Sequence, residues 1–425
     1  MVYMKILSIN ARPILDSRGN PTVEVEVTLE SGIVGRASVP SGASTGIHEA
    51  HELRDGGTDF NGLGVARAVE NVETVIFPGV QDILADDQFA LDARMCELDG
   101  TPNKSRLGAN AIPAVSLATA HAAAKQRRIP LYKHLNDIAG NSEMSIPMPM
   151  INVLNGGQHA DHSTDLQESM IVPIGATSYH EAMKIGIEVF GALKSLLKSK
   201  GASTLVGDEG GFTLPVVNGN AEAFQLLSDA VTKAGYVVGK DVAFAIDAAA
   251  SEFYEDGIYD LRAEKRQLSQ PQMIEWYKGL VNDFPILSIE DALDQDDWDG
   301  WQSAKKALDI QLVGDDLLVT NIERLQKAID LDAANSILIK PNQIGTLTET
   351  IRAIQLAKKH GWNTIISHRS GETEDVTIAH IAVGTGAGQI KTGSMSRTER
   401  TAKHNELLRI EEADPGLKMV SPFAI

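Results

Sequence analysis

Several features that mark whole classes of protein are scarce in this sequence. Its 425 residues include one cysteine, Cys96, so no disulfide can form within the chain, which suits a reducing compartment. Basic residues are outnumbered: 38 lysines and arginines stand against 57 aspartates and glutamates, a net charge of −19. This acidic balance argues against general nucleic-acid binding and against attraction to an anionic membrane surface.

Long apolar runs are also missing. The opening stretch, MVYMKILSINARPILDSRG, reaches charged residues quickly and lacks the apolar core of a signal peptide. No stretch approaches the ~18 apolar residues that a membrane-spanning helix needs. We therefore expect a cytoplasmic protein with no membrane span, and we find no low-complexity segment or long linker.

The chain is long enough for two or three domains, and a barrel of ~250 residues plus a smaller domain fits its length. Residues 5–38 alternate between apolar and polar side chains, which predicts a three-stranded antiparallel meander. Helical spacing follows from Gly64 to about Gln126. We therefore predict an N-terminal α+β capping domain over residues 1–138 and a β/α barrel over residues 139–425, divided at a segment rich in proline and methionine.

A loop of small residues, Pro40–Gly46 (PSGASTG), follows the predicted meander. One interpretation is a plain connection between two elements. The other is a flexible, hydroxyl-rich lid over an anionic substrate, since binding residues often lie on such loops.

Short β-branched runs that end abruptly in a charge recur through the second domain. Glu290, Asp315 and Lys340 stand 25 residues apart, about the length of a strand, a return helix and two loops. Further ends of this kind occur at Asp247, His368-Arg369-Ser370 and Lys391. Helical segments are predicted near 178–200, 221–235, 270–282, 299–308, 321–331, 347–360, 375–385 and 397–412. Six such repeats and a less regular pair predict an eight-stranded α/β barrel of the TIM type, whose strand ends open on one face.

Three carboxylates, those of Asp247, Glu290 and Asp315, end consecutive predicted strands. Carboxylates that converge without histidine or cysteine form a hard oxygen site, which selects Mg²⁺ or Mn²⁺ over zinc or copper. Without a cation they would repel one another. The alternative is a salt-bridge network between these acids and the cations at the other strand ends.

Two lysines, Lys340 and Lys391, would stand close to such a metal and to each other. Positive neighbours lower the pKa of a lysine, which allows it to act as a general base near pH 7. A metal and a lysine base together can remove a proton next to a carboxylate, with the enediolate charge on Mg²⁺. Spacing does not decide which lysine is the base, and either could be a structural counter-ion.

Other strand-end residues complete a candidate site. Arg369 and Ser370 offer a planar cation and a hydroxyl that suit phosphate or carboxylate. A second acid near Glu168 or Glu209 could protonate a leaving hydroxyl, although each alone is an ordinary loop acid as often as a catalyst. The residues thus predict a Mg²⁺-dependent lyase or isomerase for a small anionic hydroxy-carboxylate, attracted by local positive charge.

Nine motifs, spread over nearly the whole chain, resemble those of the enolase family. They are PSGASTG, NKSRLGANAI, NGGQHA, GDEGGF, SIED, VGDD, LIKPNQIGT, SHRSGETED and QIKTG. Together they are far more specific than any one short pattern. The resemblance implies an N-terminal α+β domain, a barrel of ββαα(βα)₆ topology with one antiparallel early strand, and a homodimer or octamer.

The resemblance also implies a reaction and its metal ions. The reaction is the reversible dehydration of 2-phospho-D-glycerate to phosphoenolpyruvate in glycolysis and gluconeogenesis, with two Mg²⁺ ions per active site. Asp247, Glu290 and Asp315 look like the ligands of the first ion. Ser41 would complete a second site that is shared with the substrate phosphate.

Further roles follow from the same resemblance. Lys340 would take the C2 proton, and Lys391 with both ions would hold the doubly charged carboxylate of the intermediate. Glu209, assisted by Glu168, would protonate the departing C3 hydroxyl. His159 lies on another closing loop near the substrate. Substrate contacts are also implied for the residues that follow the TIIS run: His368, Arg369 and Ser370.

Some positions depart from the family pattern without removing a proposed catalytic group. They are Ser169, His162, Ala292, Ser394-Met395-Ser396 and His404. Ser169 and His162 adjoin the acid loop and bear on substrate specificity. The departures motivate a first alternative, a paralogue that acts on a related phospho- or phosphono-carboxylate in secondary metabolism.

Two further alternatives are more distant. A relative of the mandelate-racemase type would need a Lys-x-Lys pair on an early barrel strand, where this chain carries Glu168 and Glu209. A non-catalytic binding protein would have been free to lose Lys340 or Glu209, and the chain has both.

Overall fold

Alternation near the start of the chain produces an antiparallel sheet. The computed structural model of the protein describes residues 4–43, 45–157, 164–213 and 219–423. In this part of the chain the sheet is a three-stranded meander, in which β2 pairs with both neighbours. Its strands are β1 (Ile6–Leu15), β2 (Pro21–Leu29) and β3 (Val34–Ser38). The predicted meander is therefore present.

Helices cover one face of this meander. They are α1 (Ala66–Asn71), α2 (Phe77–Val80), α3 (Gln88–Asp99), α4 (Ala111–Arg127) and α5 (Leu131–Ile138). The alanine-rich α4 is buried along most of its length because small side chains let it lie close to the sheet. A Cβ atom on Gly35 of β3 would lie 2.2 Å from the backbone of both Ala118 and Ala122, so only glycine allows this approach.

The second domain is built on parallel strands with helices between them. Its barrel strands are β4 (Met148–Asn155), β5 (Glu168–Val172), β7 (Ala243–Asp247), β11 (Ile286–Glu290), β12 (Gln311–Gly314), β13 (Ser336–Ile339), β14 (Asn363–Ser367) and β15 (Gly388–Lys391). Its helices are α6 (Tyr179–Ser199), α7 (Ala221–Lys233), α8 (Gln270–Asp283), α9 (Trp298–Ala307), α10 (Ile322–Leu331), α11 (Pro341–Ile344), α12 (Leu347–Lys359), α13 (Thr377–Gly384) and α14 (Thr398–Ala413). Among the described residues, no helix is both long and apolar enough to cross a membrane.

Pairing of β15 with β4 closes these eight strands, as far as the structure describes them, into a barrel. The strand β5 runs antiparallel to both β4 and β7, and the other barrel pairs are parallel. A two-residue strand, β6 (Phe212–Thr213), extends the sheet beside β4. The predicted fold class, a TIM-type barrel with a smaller N-terminal domain, is confirmed.

A small antiparallel sheet after β7 did not follow from the sequence pattern. It consists of β8 (Tyr254–Glu255), β9 (Ile258–Leu261) and β10 (Arg266–Ser269). The strands are too short for alternation to reveal them.

The barrel has an apolar middle with a polar layer at each end. An apolar cluster fills the middle and includes Met148, Met170, Ala245 and Leu338. Nearer the amino ends of the parallel strands, the amides of Gln311 and Gln389 bond to each other at 2.9 and 3.1 Å. The opposite, carboxyl end of the barrel carries the charged residues predicted from the sequence.

Candidate active site

Three acids lie in one row across neighbouring barrel strands. Asp247 and Glu290 are the last residues of β7 and β11, and they are paired in register. Glu168 is the first residue of β5 and pairs with Asp247. Because β5 runs in the opposite direction, its first residue reaches the rim where its neighbours end. The antiparallel direction of β5 therefore places Glu168 beside the carboxylates of Asp247 and Glu290, although Glu168 begins its strand and the other two end theirs.

The ammonium group of Lys391 lies among these three acids. Its Nζ atom is 2.8 Å from Oδ2 of Asp247, 2.8 Å from Oε1 of Glu290 and 3.1 Å from Oε1 of Glu168. Burial favours the neutral amine, but the three carboxylates outweigh it and raise the pKa of Lys391 well above its ordinary value. Burial and neighbouring acids likewise raise the pKa values of Glu168 and Glu290, although Lys391 acts in the opposite direction.

Lys340 forms a second ion pair at the next part of the rim. Its Nζ lies 2.5 Å from Oδ2 of Asp315, and the other oxygen of Asp315 accepts a bond of 2.8 Å from the Gln343 amide. Burial opposes the charged lysine, yet Asp315 raises the pKa of Lys340. Although burial works against the ionised acid, Lys340 lowers the pKa of Asp315. Lys340 thus stands at the site as a charged partner of the acid.

The direction of these lysine shifts corrects one expectation from the sequence. Positive neighbours were expected to lower the pKa values of Lys340 and Lys391, but carboxylates lie closest to both groups and raise them. Ion pairs of the kind expected from the salt-bridge alternative are therefore present in the structure. They join Lys391 to three carboxylates and Lys340 to Asp315.

This donor set nevertheless fits a hard divalent cation. Four carboxylates share two ammonium groups in these ion pairs, so negative charge remains in excess. Carboxylate oxygens of Asp291, Asp315 and Asp316 also all lie within 4.8 Å of one another. An excess of buried oxygen donors is compatible with Mg²⁺. In this structure Lys391 stands between Asp247 and Glu290, and Asp315 groups with its neighbouring aspartates.

Glu209 is another acid that lines the same cavity as the two lysines. Its Oε2 accepts a bond of 2.8 Å from Nδ2 of Asn152, and its Oε1 lies 3.3 Å from Nε2 of His368. Glu209 and His368 are almost completely buried. Ligand atoms of Glu168, Glu209 and His368 all lie within 4.8 Å of one another. The two acids predicted as proton donors are therefore neighbours in space, although 41 residues separate them in sequence.

Arg369, which was predicted to bind an anion, forms an ion pair with an acid of the N-terminal domain. Nη1 and Nη2 of Arg369 lie 2.8 and 3.1 Å from the two carboxylate oxygens of Glu49. The Ser370 hydroxyl accepts a bond of 2.5 Å from the backbone N–H of Ala43. Both contacts dock the segment after β3 on the barrel rim. Sequence reasoning missed Glu49, because nothing local distinguishes it from another loop acid.

Ser41 lies on the same docked segment. It exchanges backbone hydrogen bonds with Gly371, which follows Ser370 on the rim. Its hydroxyl donates to Glu52 at 3.0 Å and accepts from Arg54 at 2.9 Å. These contacts fix Ser41 at the junction of the two domains. His159 and His162 lie outside the described residues.

A cavity of about 270 Å³ lies at the centre of this arrangement. Its described lining consists of Gln167, Glu168, Glu209, Asp247, Lys340, Ser367, His368, Arg369, Ser370 and Lys391. A wider cavity of about 930 Å³ between the docked segment and Arg369 adjoins it. Most of the residues predicted from strand ends thus surround one small polar space.

Both domains match known family models. Residues 143–417 match the model described as "Enolase, C-terminal TIM barrel domain", and residues 6–135 match "Enolase, N-terminal domain". The chain belongs to the enolase family. The resemblance seen in the nine motifs is thereby confirmed. Enolase membership indicates a lyase that acts on a small molecule, and the carboxylates are compatible with the Mg²⁺ that such an enzyme uses.

Those departures from the common enolase pattern that fall on described residues do not line the small cavity. Ser169 follows Glu168 on β5, and successive strand residues point to opposite faces, so Ser169 points away from the interior. Ala292 is packed in the main hydrophobic core. Nδ1 of His404 forms a hydrogen bond of 2.8 Å with the hydroxyl of Tyr179, the first residue of α6. These three substitutions affect the packing around this enolase site rather than its polar lining.

Sequence reasoning also missed groups that hold the site in place. The amide of Gln167 donates to Asp247 at 3.3 Å, Asn152 binds Glu209, and Asp291 accepts bonds from the backbone of Asp315 and Asp316. Gln167 and Asp291 each adjoin a proposed site acid in sequence. Adjacency to a predicted site acid could therefore have identified both residues from the sequence.

Proposed function

We propose that this chain catalyses the reversible dehydration of 2-phospho-D-glycerate to phosphoenolpyruvate. The observation that carries the proposal is the shared lining of one cavity by two lysines, three acids and the Arg369–Ser370 pair. Elimination of water needs a base at one carbon and an acid at the next, and this cavity presents both kinds of group. As a glycolytic and gluconeogenic enzyme the protein would work in the cytoplasm as a homodimer or octamer.

In the proposed reaction Lys340 removes the proton from C2 of the substrate. Glu209, assisted by Glu168, donates a proton to the C3 hydroxyl, which leaves as water while the C2–C3 double bond forms. Lys391 binds the substrate carboxylate. Arg369 and Ser370 bind the phosphate, with His368 beside them. His159 remains a proposed substrate contact from the family resemblance.

Two metal sites are part of the proposal. Asp247, Glu290 and Asp315 would hold the first Mg²⁺, and Ser41 with the substrate phosphate would complete the second. Bound Mg²⁺ would neutralise the acids that raise the lysine pKa values and would stabilise the doubly charged carboxylate of the intermediate. Ser41 would have to exchange its present bonds to Glu52 and Arg54 to act as a ligand.

A paralogue that acts on a related phospho- or phosphono-carboxylate is the second candidate. It is motivated by the departures at Ser169 and His162. The orientation of Ser169 favours 2-phosphoglycerate, because a side chain behind the strand alters the lining only indirectly.

The deciding experiment mixes the purified protein with 2-phospho-D-glycerate and Mg²⁺ and follows phosphoenolpyruvate by its ultraviolet absorbance. We expect fast turnover that a chelator abolishes and that Lys340→Ala reduces by about 10²–10⁴-fold, the usual contribution of a general base. Circular dichroism of each sample confirms folding. Absence of turnover by folded, Mg²⁺-supplied protein would reject the proposal and favour the paralogue.

A further inference from the structure

The helix α14 places a completely buried arginine behind the candidate site. Arg400 has no exposed surface. Its Nη1 lies 2.7 Å from Nδ1 of His368 and 2.5 Å from the carbonyl oxygen of Arg369. Its Nη2 lies 2.5 Å from the carbonyl oxygen of Ser370 and 3.2 Å from that of Asp208. One guanidinium therefore joins the rim segment after β14 to the loop that carries Glu209.

The chemistry of the guanidinium decides which nitrogen of His368 bears a proton. Arginine has only N–H donors and cannot accept a hydrogen bond. Nδ1 of His368 must therefore accept the bond from Arg400. A neutral imidazole carries its single proton on the other nitrogen, so the proton of His368 is on Nε2.

That proton lies on the side of His368 that meets the acid. Nε2 is 3.3 Å from Oε1 of Glu209, a contact whose alignment falls short of a hydrogen bond in this structure, and Nε2 has no other hydrogen-bond partner among the described residues. A donor fixed at this place stabilises a carboxylate oxygen as an acceptor. It also disfavours metal binding through Nε2, since a ligating nitrogen must be free of its proton.

We propose that Arg400 is a positioning residue that fixes His368 as the neutral Nε2–H tautomer and so keeps a hydrogen-bond donor against Glu209. This inference rests on the proposed function, in which Glu209 is the acid. Arg400 touches neither substrate nor reacting atoms. Its effect passes through His368 and through the three carbonyl groups that it holds.

The charges around His368 act in the same direction. Burial lowers the pKa of His368 well below its ordinary value. Glu209 opposes this shift, whereas Arg400, Lys391 and Lys340 reinforce it. His368 thus stays neutral in the working range, as a single fixed donor requires.

Nitrogen NMR of the protein labelled in its histidines tests the tautomer directly. The chain has 11 histidines, and the signals of His368 are those lost in His368→Gln. We expect Nε2 protonated and Nδ1 unprotonated at pH 7–8 in the unsubstituted protein. A proton on Nδ1, or on both nitrogens, overturns the proposal.

Kinetics of Arg400→Gln test the consequence. A glutamine can accept a bond from Nδ1, which releases the tautomer. We expect kcat to fall about 10²-fold with KM changed much less, and the acidic limb of the pH profile to move toward the ordinary histidine value of ~6.5. Arg400→Lys retains a charged donor and should recover part of kcat. An unchanged pH profile, with loss explained by the unfolded fraction alone, overturns the proposal.

Lys403→Gln is the matched control, because it also removes a buried cation of α14. Lys403 donates to Glu372 at 2.8 Å rather than to His368. We expect this variant to lose stability while the His368 tautomer and the shape of the pH profile stay as in the unsubstituted protein. The same change of tautomer or profile in Lys403→Gln would overturn a specific role for Arg400.

A second comparison applies even if Arg400 variants do not fold. In His368→Gln the side-chain amide can donate from the place of Nε2, whereas the shorter His368→Asn places its amide near Nδ1. We expect higher kcat in His368→Gln, and the reverse order overturns the proposal. Absence of turnover by the unsubstituted protein would instead reject the proposed function, and the NMR result would still decide the tautomer.

Discussion

The carboxylate of Glu49 binds the guanidinium of Arg369 through two hydrogen bonds, of 2.8 and 3.1 Å, across the boundary between the domains. Little of either side chain is exposed: 3 % of the side-chain surface of Arg369 and 9 % of that of Glu49. Glu49 thus occupies donors that we propose for the substrate phosphate. A bound phosphate and Glu49 must compete for this arginine, or Glu49 must move.

We expect Glu49→Gln to bind inorganic phosphate more tightly, because the amide no longer competes as an anion. A change of about tenfold corresponds to ~1.4 kcal/mol. Titration calorimetry with inorganic phosphate gives the dissociation constant. Glu52→Gln is the control, since Glu52 contacts Ser41 and Arg54 and should have a smaller effect. Weaker binding in Glu49→Gln would show that the acid orders the phosphate site instead of competing for it.

We expect Glu209→Gln to slow the loss of the C3 hydroxyl but not the removal of the C2 proton. Lys340 and Glu209 come from different segments, Lys340 after β13 and Glu209 before β6, so the base remains in place when the acid is changed. We expect dehydration to fall about 10²–10⁴-fold, while exchange of the C2 proton with deuterated solvent continues. Proton NMR of the substrate measures the exchange. Lys340→Ala should lose both activities, and loss of exchange in Glu209→Gln would contradict separate acid and base roles.

Asp291→Ala should weaken Mg²⁺ binding without changing a proposed ligand. The two oxygens of Asp291 accept bonds of 2.9 and 2.8 Å from the backbone N–H groups of Asp315 and Asp316 and hold that turn. We expect the Mg²⁺ concentration for half-maximal activity to rise about 10–100-fold, as for other groups that orient a metal ligand.

The control for this experiment is Asp297→Ala. Asp297 caps α9 by accepting a bond of 2.9 Å from Gly300, so its loss costs stability outside the metal site. Activity titrated with Mg²⁺ should then follow the unsubstituted curve. Equal Mg²⁺ curves for Asp291→Ala and Asp297→Ala would remove the proposed link between Asp291 and metal binding.

The buried His404 predicts a loss of stability in acid. Burial, reinforced by Lys403, lowers its pKa from 6.5 to about 4 in the folded protein. The unfolded chain therefore takes up a proton first, and stability falls as the pH drops from 6.5 toward 4. Between pH 7 and pH 5 this amounts to about 2 kcal/mol.

Urea unfolding at pH 7 and pH 5 measures this effect. We expect His404→Gln to lose about 2 kcal/mol less than the unsubstituted protein over this interval. His121 and His134, whose pKa values are also lowered to about 4, contribute equally to both proteins. An identical pH dependence of the two proteins would contradict the lowered pKa of His404.

Much of the barrel could be predicted from sequence because its strands are short apolar runs that end in charges. The predicted ends at Asp247, Glu290 and Lys391 are the last residues of β7, β11 and β15. The predicted helix 178–200 is Tyr179–Ser199, since Ser178 caps it and apolar residues keep helical spacing.

The direction of β5 and the partners of the site residues could not be predicted in this way. Alternation along a five-residue strand is the same in both directions, and the antiparallel strand entered through the family resemblance alone. Glu49 and Arg369 are 320 residues apart, so no local pattern joins them. Nor does a helical period reveal that Arg400 is buried, because an arginine on a helix is usually a solvated residue.

The reversed strand β5 has a consequence for how such a site can be modified. β4 ends and β5 begins at the same rim, and Gly156 donates a backbone bond of 2.8 Å to Gln167 across the base of their connection. Both ends of segment 156–167 are thus anchored to adjacent strands of one sheet. A βα connection, in contrast, has one end on a helix that can shift. Substitutions within segment 156–167 are accordingly expected to act on the rim beside Glu168, where Gln167 binds Asp247, while the helices of the barrel keep their positions.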